Sequence, residues 1–173
     1  MSKFLLIING AVLTGCAFFV ADYRAIILTA LLLFLPLLDR GWQCDCLRRF
    51  KYEGYIWLFI AAGFAILLGL HNHYLLTTSS IIFLTALPEE WFFRGYFLQR
   101  LQDLGSRPWL ANVVSSLLFM LLHIPSQGGV GLLVFFPSLL FGYVYQRSRN
   151  LIVVILIHAL ANLFFIVYVR GWG

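Results

Sequence analysis

Apolar stretches separated by short polar breaks run along the chain near 4–20, 25–38, 54–70, 74–102, 109–124, 130–146 and 150–169. A bilayer crossing takes about 20 residues, with a range of about 17–25. The pattern therefore predicts an all-α, polytopic transmembrane helical bundle of about seven spans. The stretch 25–38 is short and broken by Pro36; if it is half re-entrant, six spans remain. Neither an internal repeat nor a linker-like segment interrupts the pattern, so residues 1–173 read as a single integral-membrane domain.

Charge placement tests this parsing independently. The break 39–53 carries Arg40, Arg48, Arg49 and Lys51, and the later alternate breaks carry Arg100 with Arg107 and Arg147 with Arg149. The intervening breaks 71–73 and 125–129 carry no Lys or Arg. Basic residues mark cytoplasmic loops, so the N-terminus, with Lys3, is placed in the cytoplasm, and only Arg24 and Arg170 fall outside. His71 and His73 fall in an outer turn. Trp57, Trp109, Tyr143, Tyr145 and Tyr168 lie near span ends, where interfacial aromatics are expected.

Composition agrees with the pattern. The 173 residues are 62% hydrophobic and 11% charged, with a mean hydropathy of +0.92. Soluble domains run about 45–50% apolar and about 25% charged. The net charge of +5 is accounted for by basic cytoplasmic loops and implies no nucleic-acid partner. Cys44 and Cys46, in a cytoplasmic loop, read as free thiols. Leu13-Thr14-Gly15-Cys16 has the look of a lipoprotein cleavage box, but the apolar run continues through Ala17-Phe18-Phe19-Val20, as a membrane helix does.

The chemistry lies in polar islands within this apolar sequence. Glu89, Glu90 and Arg94 share one hydrophobic helix, where each charge costs roughly 2.5–3.5 kcal/mol at the centre of a span. Glu90 and Arg94 are spaced i,i+4 and form a pair on one face. Glu89 is rotated about 100° away and is left as an unpaired carboxylate, free to act as a general base. The alternative is a structural polar patch between helices.

His123 and His158 repeat the pattern on two other spans. At a rise of 1.5 Å per residue, Glu89 lies about 16 Å above Arg100, His123 about 21 Å above Trp109 and His158 about 12 Å above Asn150. All three fall in one intramembrane layer. His158 and Asn162 are again i,i+4, and both can donate hydrogen bonds to an oxyanion; the alternative is helix–helix glue. A carboxylate, an imidazole and a donor pair suit amide hydrolysis. Glu89, His123 and His158 would also make a two-His, one-carboxylate zinc set, although the His-Glu-x-x-His signal is missing. Ser115 and Ser116 read as helix-packing residues.

Pro88-Glu89-Glu90-Trp91-Phe92-Phe93-Arg94-Gly95, Phe119-x-x-x-His123 and His158-x-x-x-Asn162 together resemble the three ordered motifs of the CPBP intramembrane proteases. That family includes the CAAX prenyl endopeptidases and the bacteriocin-processing and immunity proteins once called Abi proteins. The resemblance covers a protease core of about 79–166. It implies that Glu89 with His123 activates water, that His158 and Asn162 form an oxyanion hole, that Glu90 and Arg94 support them, and that neither metal nor other cofactor takes part.

The sequence reading is thus a glutamate-type intramembrane endopeptidase, multi-pass in a bacterial cytoplasmic (inner) membrane. Its partners are the lipid bilayer and a membrane-anchored or lipidated protein or peptide substrate. A prenylated tail, a C-terminal sorting signal and a leader peptide all fit. The competing readings are a non-catalytic scaffold or immunity protein of the same fold, and a proton-coupled transporter; a transporter would show paired repeats with broken helices.

Overall fold

The structure is a computed structural model that describes residues 2–19, 22–47, 53–70 and 75–169. His71, His73, Arg48, Arg49, Lys51 and Arg170 lie outside the described residues. The described chain is almost entirely helical, with one isolated bridge between Leu47 and Asn150 and no strand. The helices are α1 (Ser2–Phe19), α2 (Arg24–Phe34), α3 (Glu53–Leu70), α4 (75–103), α5 (Pro108–Gln127), α6 (Phe135–Ser148) and α7 (Leu151–Phe164). Short 3-10 turns follow α2 at Leu35–Leu38 and precede α6 at Gly128–Val134.

The helix α4 is the axis on which the others pack. It is continuous but unevenly wound, with π-type stretches at Ile81–Ala86 and Trp91–Leu98 on either side of an α-type turn, Leu87–Glu90. The junction residues Ser80, Leu87, Trp91 and Gln99 all keep right-handed helical dihedrals, so the axis is unbroken. From Phe92 to Leu98 every side chain is buried.

Two apolar stretches have the length and composition of a membrane crossing, Pro108–Ser148 and Leu151–Tyr168. The first, 41 residues long, doubles back at 128–134. Asn112 Nδ2 donates to Leu139 O at 3.0 Å, and Gln146 Nε2 to Pro108 O at 2.7 Å, which fixes α5 and α6 as antiparallel. The expected helix start at 130 is therefore corrected to 135, because Gly128, Gly129 and Gly131 make the turn. Gly131 lies so close to α5 that a Cβ there would sit 2.9 Å from the His123 carbonyl. Shorter apolar helices cover Lys3–Phe19, Arg24–Leu38 and Gly54–Leu68. Large apolar side chains such as Phe4, Phe19, Phe59, Leu76 and Phe136 point outward, far more apolar surface than a water-soluble monomer exposes.

Polar contacts hold the segment after α2 against α4. Asp39, 4% exposed, accepts from Arg100 Nε at 2.9 Å and Nη2 at 3.2 Å, and from Tyr96 Oη at 3.4 Å. Tyr96 Oη in turn accepts from Asn9 Nδ2 at 3.1 Å, tying in α1. Trp42 Nε1 donates to Gly95 O, and Leu151 N to Cys46 O. Residues 39–47 therefore cover one end of the bundle like a stopper.

Two sequence expectations change here. Cys44 and Cys46 are bonded to each other rather than free; their Cα atoms, 5.3 Å apart, lie within bridging range. Tyr145 is wholly buried rather than interfacial, packed in the cluster of Leu98, Leu151 and Val154, whereas Trp109 and Tyr143 do face outward. Cys16 is free and sits within an uninterrupted α1, as a membrane helix requires.

Helices α5 and α6 approach closely where Gly142 meets Asn112: a Cβ at 142 would fall 1.8 Å from Asn112 Oδ1. Gly142→Ala should push Asn112 off Leu139 and cost about 1–3 kcal/mol, the usual range for overpacking. Thermal unfolding in detergent measures this, and an unchanged midpoint would contradict the packing described.

Candidate active site

Pro88 sets the local backbone. Without an N–H it cannot donate to the carbonyl of Leu84, four residues earlier. Thr29 Oγ1 of α2 reaches that carbonyl at 3.5 Å. The two carboxylates follow directly, on the short turn between the π-type stretches. Such irregular winding is frequent at functional sites.

Glu90 faces inward and is wholly buried. Its Oε1 accepts from Arg94 Nη1 at 3.0 Å and meets His158 Nδ1 at 2.6 Å. Arg94 Nη2 continues the chain to α6, donating to Ser138 Oγ at 2.8 Å and to Ser138 O at 2.9 Å. The guanidinium is boxed by the rings of Phe119, Phe141 and Phe93, with centroids 4.9, 5.7 and 5.9 Å from Cζ. These contacts offset the desolvation of a buried cation with hydrogen bonds, an anion and aromatic faces.

Glu89 faces the histidines. Its Oε2 lies 3.6 Å from His158 Nε2, and its Oε1 lies 4.0 Å from His123 Nε2. His123 Nδ1 is 2.8 Å from Phe119 O. A carbonyl only accepts, so the Nδ1 hydrogen is assigned there and the Nε2 lone pair faces Glu89. His158 is set differently: its Nδ1–H donates to Glu90, so Nε2 carries a hydrogen only as the imidazolium. One imidazole thus bridges the two carboxylates, and the other offers a base.

Two cavities meet this cluster. One, about 570 Å³, is lined by Glu89, Pro88 and His123 together with Arg24 and Thr29 of α2. The other, about 540 Å³, is lined by His123, His158 and Asn162 with Val130, Leu133 and Phe165. Thr85 and His123 line both. Asn162 is half-buried, and its carboxamide makes no hydrogen bond among the described residues.

A family-level comparison now bears on this site. The Rce1-like family, described as type II CAAX prenyl endopeptidase Rce1-like, matches residues 71–164, just over half of the chain. The chain belongs to this family. No curated protein and no solved structure gives a significant match. Membership makes it a protease of the CAAX endopeptidase kind, and the matched region contains all three motifs.

In this Rce1-like chain, the structure brings Glu89, Glu90, His123 and His158 together from α4, α5 and α7. The expected i,i+4 pair of Glu90 and Arg94 forms. Asn162 shares a cavity with His158, but His158 is not free beside it, because Glu90 already holds one ring nitrogen. Ser138 and Thr85 were missed. The signal at Ser138 is a lone hydroxyl within Phe135-Phe-Pro-Ser-Leu-Leu-Phe, which sequence alone does not connect to Arg94, 44 residues away.

Glu89, His123 and His158 have donor types that zinc accepts. As the side chains stand, no group of three such residues among the described ones is gathered closely enough to hold an ion.

Glu90 and Arg94 give the site's clearest stability prediction. Glu90→Gln leaves the buried Arg94 without its anion and loosens His158, at a cost of about 3–5 kcal/mol for a broken buried pair. Thermal unfolding and cellular abundance should both fall. Wild-type values for both would show that the pair does not hold the core.

Proposed function

We propose that this Rce1-like chain is a multi-pass intramembrane endopeptidase in which Glu89 activates water against a peptide bond of a membrane-anchored or lipidated substrate. The placement of Glu89 carries this reading: it is the carboxylate left facing a cavity, between two imidazoles, while its neighbour Glu90 is consumed by Arg94 and His158. The N-terminus lies on the cytoplasmic side, and the membrane is of the bacterial cytoplasmic type.

The chemistry follows from the donors and acceptors. The 4.0 Å gap between Glu89 Oε1 and His123 Nε2 suits a water that donates one hydrogen to each, at about 2.8 Å. Glu89 takes a proton as the water oxygen adds to the scissile carbonyl carbon. The resulting oxyanion is met by the Asn162 amide and, in its imidazolium form, by His158 Nε2–H. Glu89 then returns the proton to the departing amine as the C–N bond breaks, leaving a new carboxyl terminus and a new amine. Glu90, Arg94 and Ser138 hold His158 in place throughout.

Glu89→Gln keeps the shape of the site and removes the base. Hydrolysis should fall by about 10²–10⁴-fold, with abundance and melting near wild type. Asn162→Ala should lower turnover by about 10²–10³-fold, the loss of one oxyanion donor. Purified protein with an anchored peptide substrate measures both, and full activity in Glu89→Gln would refute the assignment.

The donor set invites a metal test. The water-activation account expects turnover to persist after exhaustive chelation. Loss of activity on chelation, restored by added zinc, would move Glu89, His123 and His158 from base and donors to ligands.

A further inference from the structure

The two ends of the bundle differ in a way that bears on substrate. At one end, residues 39–47, 100–108 and 146–151 come together through Asp39–Arg100, Arg149 Nη2 to Gln102 Oε1, Gln146 to Pro108 O and Leu151 N to Cys46 O. Between this end and the carboxylates the bundle is filled. Phe92, Arg94, Tyr96, Leu98 and Tyr145 are each wholly buried, and Trp42 is hydrogen-bonded across Gly95. The cavity between α5 and α6 at this end, and a second one that runs along the length of α1 and α5, are lined by none of Glu89, Glu90, His123 or His158.

The site opens at the other end. The cavities that reach Glu89 and His158 are bounded there by exposed residues, Tyr23, Ser126, Gln127, Val130 and Leu133. Arg24 Nη1 donates to Pro125 O at this rim. His123 lies only four residues from the end of α5, about 6 Å along its axis. A peptide therefore reaches Glu89 from this end.

The charges say which side this is. Among the described residues, Lys3, Arg40, Arg100, Arg107, Arg147 and Arg149 all belong to the closed end, Arg94 is buried, and Arg24 alone sits at the open end. Basic residues near span ends are retained in the cytoplasm. The Cys44–Cys46 bridge also lies at the closed end, and disulfides persist mainly in oxidising compartments. It argues the other way, but cysteines two positions apart meet by sequence proximity alone, whereas the Lys and Arg distribution is what sets orientation.

We infer that the catalytic mouth opens on the extracytoplasmic face, so the substrate is a membrane-anchored protein whose scissile bond lies outside the cytoplasm, near the outer leaflet. The inference rests on the proteolytic reading of Glu89 and adds to it the side from which the substrate enters.

Wild-type protein in right-side-out and in inside-out membrane vesicles, given palmitoylated, fluorescence-quenched random peptides on the outside only, tests this directly. Turnover is expected in right-side-out vesicles, with none in inside-out vesicles and none with Glu89→Gln in either. Turnover that is equal in both, or higher in inside-out vesicles, overturns the inference. A parallel measurement needs no substrate: with Cys16, Cys44 and Cys46 replaced by Ser, Gln127→Cys should react with a membrane-impermeant maleimide on intact cells, and Asp103→Cys only after permeabilisation. The reverse labelling also overturns it. Peptides left uncut by folded wild-type protein in detergent would instead defeat the proteolytic reading, and the labelling would still decide the side.

Discussion

Burying a guanidinium in an apolar bundle demands hydrogen bonds and an opposite charge that offset its desolvation. Arg94 is buried completely, and the structure is arranged around that demand. Glu90 supplies the anion, Ser138 supplies two oxygens, and three phenylalanine rings supply aromatic faces. These partners come from α4, α5 and α6, and His158 brings in α7 through the same Glu90 oxygen. Removing Glu90 would leave the arginine charge uncompensated in a medium of low dielectric, which costs far more than the contact itself.

The same demand divides two adjacent carboxylates into different roles. Glu89 and Glu90 are neighbours in sequence, but the helix turns them to different faces, and only one face carries Arg94. Glu90 spends its Oε1 on Arg94 and His158. Glu89, 17% exposed at its side chain, meets the cavity beside α2 and the Nε2 of His123. Which carboxylate is left facing the cavity follows from which one the arginine claims.

Much of this was legible because it is local or periodic. The i,i+4 spacing of Glu90 and Arg94, and the matching depths of Glu89, His123 and His158, needed only helix geometry. What stayed hidden depended on contacts between distant segments. Asp39 reads as a loop acid until Arg100, 61 residues later, is seen to bind it. Asn9 and Tyr96 pair across 87 residues. The attachment of His158 to Glu90, which limits its role as a free donor, depends on which side α7 packs, and no spacing rule supplies that. Residues 130–134 were read as the start of a helix because they are largely apolar, although Gly128, Gly129 and Gly131 were the sign of a close reversal.

The central claim is that water, activated by Glu89, attacks the peptide bond directly, with no bond formed between Glu89 and the substrate. A turnover series in H₂¹⁸O, followed by mass spectrometry of product and enzyme, tests it. Direct attack places ¹⁸O in the new carboxyl terminus of the product and leaves the Glu89 side chain unlabelled. Heavy oxygen in the Glu89 carboxylate would instead reveal a covalent acyl intermediate and contradict the account.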